Sequence, residues 1–149
     1  MWLNVRMHSL YLFFIIFFMA SSGCTVKYVA DYDAGVKDEI IKISKEVDLF
    51  WGELLDTPVA ERKYEKFREK YTAIETDIRG LVMRNEIRPL NKESTKQANI
   101  ALELWIEDRD EHKKNDTFSD FVAKRHRQQY QRVFIAMAIG EDAKKTSAE

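Results

Sequence analysis

The sequence predicts an all-α protein: an antiparallel up-down-up-down four-helix bundle behind a cleaved signal peptide. Three observations carry that prediction. Apolar residues recur three and four positions apart over long stretches, the spacing that places side chains on one face of a helix. Beyond residue 24 the helix breakers are sparse, with only Pro58, Pro89, Gly35, Gly52, Gly80 and Gly140. No stretch alternates apolar and polar residues between turn signals, as a half-buried strand would. The length of 149 residues suits one domain.

The first helix is predicted from Ala34 to Asp56, with Asp33 as its N-cap. Its stripe is Val36, Ile40, Ile43, Val47, Phe50 and Leu54, widened by Trp51 and Leu55. Thr57-Pro58 breaks the chain, with Thr as cap and Pro at the first helical position, where a missing N–H costs nothing. The second helix then runs from about Pro58 to Ile87 on Tyr64, Phe67, Tyr71, Ile74, Ile78, Leu81 and Val82. Gly80 inside it suggests a close backbone approach. Arg88-Pro89 ends it, because the residue before proline is pushed out of helical geometry.

Ser94-Thr-Lys-Gln97 has the form of a capping box for the third helix, with Asn91 as an earlier possible start. Its inner face is Ala98, Ala101, Leu102, Trp105 and Arg109. Asn115-Asp116-Thr117 is the next turn. The fourth helix, Phe118 to Asp142, aligns Phe118, Val122, His126, Tyr130, Val133 and Met137, with Phe121, Phe134 and Ile135 beside them. Short connections favour sequential antiparallel neighbours crossing near about 20°. The alternative is a three-helix array whose longest helix kinks at Gly80. The domain organisation is therefore 1–23 signal peptide, 24–32 tether, 33–142 bundle and 143–149 a frayed tail.

The amino terminus carries Arg6 and then an unbroken apolar run from Leu10 to Ala20. That run is shorter than the about 20 residues a spanning helix needs, and it has the length of a secretory h-region. Ser21-Ser22-Gly23 and Cys24 follow. This segment resembles the lipobox of bacterial lipoprotein precursors, although Ser21 stands where leucine is commonest. The resemblance covers residues 1–24 only. It implies cleavage between Gly23 and Cys24, diacylglycerol on the Cys24 thiol and a third acyl chain on the new amino group. Thr25 in place of Asp after the cysteine implies the outer membrane of a two-membraned bacterium, facing the periplasm. Cys24 is also the sole cysteine, so it has no disulfide partner within the chain. Acylation would remove an otherwise reactive thiol. Several chains anchor stably where one does so only marginally.

The formal charge is −1, and it becomes −2 when Arg6 leaves with the signal. Such balance gives no general pull toward nucleic acid or anionic surfaces. The basic run Lys124-Arg125-His126-Arg127 with Arg132 splits over two helix faces, so nucleic acid is not expected as a partner. Glu103, Glu107 and Glu111 form an acidic stripe on the third helix. With the hairpin turning near Asp116, Glu107 would face Arg125 and Glu103 would reach Arg132, forming an interhelical charge ladder.

Catalytic and cofactor patterns are missing. Arg109 and Ala123 stand where the Glu-x-x-His motif of metal-binding bundles needs glutamate before His112 and His126. Haem attachment would need a second cysteine. Ser44, Ser94 and Ser119 lie on or at helices without a nucleophile elbow. The expectation is a non-enzymatic, lipid-anchored envelope protein without a cofactor, serving as an interaction or assembly module for an envelope partner. In size, lipidation and helix content it is similar to small helical lipoproteins that pilot secretin subunits. The alternative is a periplasmic bundle carrying a metal, haem or hydrophobic small molecule.

Overall fold

The computed structural model describes residues 27–147. The signal segment 1–23 and Cys24 lie outside the described residues. Among the described residues four helices follow one another: α1 (Ala34–Asp56), α2 (Tyr64–Glu86), α3 (Lys92–Asn115) and α4 (Asp120–Ala143), with 3₁₀ turns at Val59–Glu61 and Lys144–Ser147. Among the described residues no helix is long and apolar enough to cross a membrane.

Cross-helix pairs fix the topology. Lys37 near the start of α1 meets Asp142 near the end of α4, and Asp48 meets Arg127. Lys42 meets Asp77 across α1 and α2, and Glu75 meets Arg109 across α2 and α3. Each helix is thus antiparallel to the next, and α1 closes the bundle against α4. The α1–α4 and α2–α3 pairs pack most closely, and α3–α4 least.

The predicted α1 stripe is buried throughout. The Asp33 carboxylate accepts from the Gly35 and Val36 N–H groups at 2.8 and 3.2 Å, so two otherwise unpaired donors at the helix start are satisfied. The core is aromatic at its centre. Phe50 presents edges to Trp51, Tyr71 and Trp105 with ring centroids 4.5–5.2 Å apart. Such pairs add about 0.5–1.5 kcal/mol each beyond burial. The Trp105 indole N–H donates to the Tyr71 carbonyl at 3.0 Å, tying α3 to α2 in mid-helix.

Several expectations are corrected. The second helix starts at Tyr64, and Pro58 instead leads the 3₁₀ turn. Thr57 does not cap it, because its hydroxyl donates back to the Glu53 carbonyl. The cause is Arg62, whose buried guanidinium turns inward and donates to the carbonyls of Thr57, Leu55 and Phe118. Satisfying those carbonyls requires a bend where a continuous helix would have run. The third helix starts at Lys92 with Asn91 as its cap residue, so Ser94 and Gln97 lie inside it.

In α4 the buried face is Ala123, His126, Tyr130, Phe134, Met137 and Glu141, while Phe121 and Ile135 are exposed. Gly80 makes no close approach; a Cβ there would meet only the Glu39 carboxylate at 3.8 Å. Within the 143–149 segment Lys144 is buried, and Lys144–Ser147 forms a 3₁₀ turn.

Among the described residues two non-glycine residues take left-handed backbone, Leu90 at φ 59° and Asp116 at φ 56°. Aspartate tolerates that region. For leucine it costs roughly 1–2 kcal/mol.

Candidate functional site

Three features stand out: a buried ionic knot where the tether meets the bundle, a buried histidine network toward the far end, and an open groove between α1 and α2.

The knot is centred on Glu141, whose side chain is 1% exposed. Its carboxylate accepts from the Lys144 ammonium, the Arg88 guanidinium and the Asp33 N–H. Burial alone would raise this carboxyl. The two cations and the amide outweigh burial and hold it below the usual carboxylate range. Lys144 also donates to Asn91 at 2.7 Å, and Asn91 donates to the Asn85 side chain at 2.7 Å. These residues come from the start of α1, the α2–α3 turn and the end of α4, so the knot closes one end of the bundle. The tether rests on it: the Ala30 N–H donates to the Leu90 carbonyl at 3.1 Å, and Arg88 also donates to the Asp31 carbonyl.

Toward the other end, Asp108 of α3 accepts from Tyr130 Oη at 2.9 Å and pairs with His126 Nδ1 at 2.8 Å, both on α4. The His126 ring lies flat on Trp51, with centroids 5.2 Å apart. Burial, and then the Asp108 charge, push the Tyr130 hydroxyl pKa well up. His112 donates from Nε2 to the Arg62 carbonyl at 2.8 Å and accepts from Tyr71 Oη at Nδ1, 3.1 Å away. Burial lowers the His112 pKa, which favours this neutral tautomer. The Trp51 indole N–H is buried and meets no acceptor among the described residues.

Asp108, Glu111 and His126 form the group among the described residues whose potential metal-ligand atoms converge, all within 4.8 Å. Both Asp108 oxygens already receive protein donors, Tyr130 Oη and His126 Nδ1, while Glu111 is exposed beside them.

The groove holds about 340 Å³ between α1 and α2. Leu49, Phe50, Ala73 and Ile74 supply apolar walls; Glu46, Glu53 and Asp77 with Lys70 supply the rim. Burial, and then the neighbouring Asp77 carboxyl, push the Glu46 carboxyl upward. Leu49, at the groove's edge, is 72% exposed.

Of the residues singled out from the sequence, Cys24 lies outside the described residues. Glu103, Glu107, Arg125 and Arg132 are all exposed, and the expected ladder does not form among the described residues. Its register assumed a pivot at Asp116. The hairpin pivots nearer Phe118, whose ring is buried against Trp51 and His112. That displacement brings buried Asp108 level with His126 and Tyr130. The charged pairs form on the other seams, between Arg127 and Asp48 and between Arg84 and both Asp33 and Glu39.

Sequence reasoning missed the buried polar residues Arg62, Asp108, His112, Glu141 and Lys144. One signal was available: Asp108 and His112 follow Ala101 and Trp105 at helical spacing, so the apolar stripe of α3 runs on into polar residues. Comparison with protein-family models, with curated proteins and with solved structures finds no match.

Proposed function

We propose that the protein is a lipid-anchored lipoprotein of the bacterial envelope, held by acylated Cys24 on the periplasmic face of the outer membrane. There it acts as a non-catalytic interaction or assembly module. The observation that carries this reading is the apolar run, small residues and single Cys24 in the order that lipoprotein processing uses. The arrangement of the bundle agrees with it, since the tether that would lead to the anchor meets the domain at one end and leaves the α1–α2 groove clear.

The partner best suited to that groove is a basic amphipathic helix. Its apolar face would cover Leu49 and Ile74, and its cations would add to Lys42 in balancing the neighbouring carboxylates of Glu46 and Asp77. Mass spectrometry of the native protein should find Cys24 as the acylated first residue, and Cys24→Ala should move the protein to the soluble fraction. A photo-crosslinker replacing Ala73 should join a basic helical segment of one envelope protein, and Leu49→Glu should abolish the product. Crosslinks to lipid alone, or a product that survives Leu49→Glu, would refute the groove assignment.

One observation favours a second reading, the metal carrier: the convergence of Asp108, Glu111 and His126. Titration with Zn²⁺ tests it through the Trp51 emission, because Trp51 stacks on His126. A saturable change that Glu111→Gln removes would support the carrier. An unchanged spectrum would reject it.

A further inference from the structure

We infer that the tether end of the bundle is itself a membrane-docking surface, inserting Ile87 and Leu90, with Tyr28 and Val29 beside them, into the interfacial layer of the bilayer. The inference rests on the lipid-anchor reading for the position of the membrane and goes beyond it in assigning the bundle's own contact.

The first support is where the apolar residues lie. Tyr28 is 83% exposed, Ile87 77% and Leu90 56%, and Val29 is exposed as well. They come from two separate stretches of chain, the tether and the α2–α3 turn, which the Ala30–Leu90 hydrogen bond holds together.

The second support is Leu90 itself. Its backbone takes the left-handed conformation that glycine or asparagine adopts without strain, yet the side chain held there is large, apolar and turned to solvent. A turn built only to connect two helices has no use for that combination. Strain maintained by surrounding structure points to a task for the residue. Here the surrounding structure is the knot, with Arg88 fixed by Glu141.

The third support is reach. Ala30 lies six residue steps beyond Cys24, so even a fully extended chain between them spans only about 20 Å. An anchored Cys24 therefore confines the α2–α3 turn to the neighbourhood of the lipid headgroups. Lys92 and Lys96 are exposed beside the patch, but so are Glu86 and Glu93. The charges nearly balance, and apolar insertion carries the contact, so salt should loosen it little.

The test uses acylated protein in phosphatidylethanolamine–phosphatidylglycerol vesicles, with an environment-sensitive fluorophore on Glu86→Cys beside the patch or on Val59→Cys at the opposite end. The Glu86 label should shift to the blue and be quenched by nitroxide-bearing lipids, while the Val59 label should report water. Ile87→Gln with Leu90→Asn should return the Glu86 label to the aqueous spectrum without lowering stability, because asparagine suits the left-handed position. Matching spectra for the two labels on protein shown by mass spectrometry to be acylated would overturn docking and leave the anchor standing. An unmodified Cys24 in the native protein would overturn the anchor, and docking with it.

Discussion

Glu141 and Lys144, three residues apart across the end of α4, form an ion pair whose side chains are 1% and 5% exposed. Burying two charges is costly unless each is fully coordinated. Here Arg88, Asn91 and the Asp33 amide complete the coordination. The pair therefore secures three chain segments at once: the start of α1, the α2–α3 turn and the end of α4.

Removing one partner should be worse than removing both. Glu141→Ala leaves Lys144 and Arg88 as uncompensated charges, and a loss of about 3 kcal/mol is expected in urea denaturation. Glu141→Leu combined with Lys144→Met should cost less than Glu141→Ala alone. If the double variant is the less stable of the two, the knot is not held together by charge compensation.

Glu141 also sets an acid limit. Its folded carboxyl lies below its ordinary value of 4.5, so its contribution is present above that pH and is lost as pH falls through the folded value. In Glu141→Gln, the decline in melting temperature below about pH 4.5 should be shallower than in the parent chain.

His112 acts in a separate window. Burial lowers its folded pKa below the ordinary 6.5, so below that pH the unfolded chain binds a proton that the folded chain resists. Stability should therefore rise with pH up to about 6.5 and flatten above it. His112→Gln should remove the slope below pH 6.5 while lowering the plateau. An unchanged slope would show that another group titrates there.

Arg62 joins the 3₁₀ turn, the end of α1 and the α3–α4 turn through three carbonyls and Asp120. A lysine cannot reproduce that planar fork. Arg62→Lys should cost about 2 kcal/mol, since buried carbonyls lose charged donors. Hydrogen exchange should quicken at the amides of the α1–α2 connection and around Phe118. Exchange confined to the tether end would contradict this assignment.

Tyr130→Phe removes one donor from the buried Asp108 carboxylate with little change of shape. A cost of about 1–3 kcal/mol is expected by thermal denaturation. A neutral result would mean that water replaces the hydroxyl, and that the network is less enclosed than its burial implies.

The all-helical class and the inward faces of α1 and α2 are legible in the chain, whereas the start of α2 and part of the buried face of α4 are not. The three-and-four spacing from Val36 to Leu54, and from Phe67 to Leu81, leaves one way to hide the apolar side chains, and the Asp33 cap followed from a local hydrogen bond. The proposed processing at Cys24 rests on the order of residues 10–24 alone. Tertiary structure decided what depends on register and distant partners. The α3–α4 offset is set by how Phe118 fills the end of the core, and no local spacing reports that. The burial of Arg62 and Glu141 has no local signal, because it becomes tolerable only when partners up to 108 residues away supply hydrogen bonds. Leu90 reads as ordinary turn filler until its backbone dihedral and exposure are known. Local periodicity fixes which face turns inward, whereas the pairing of buried charges is a property of the assembled bundle.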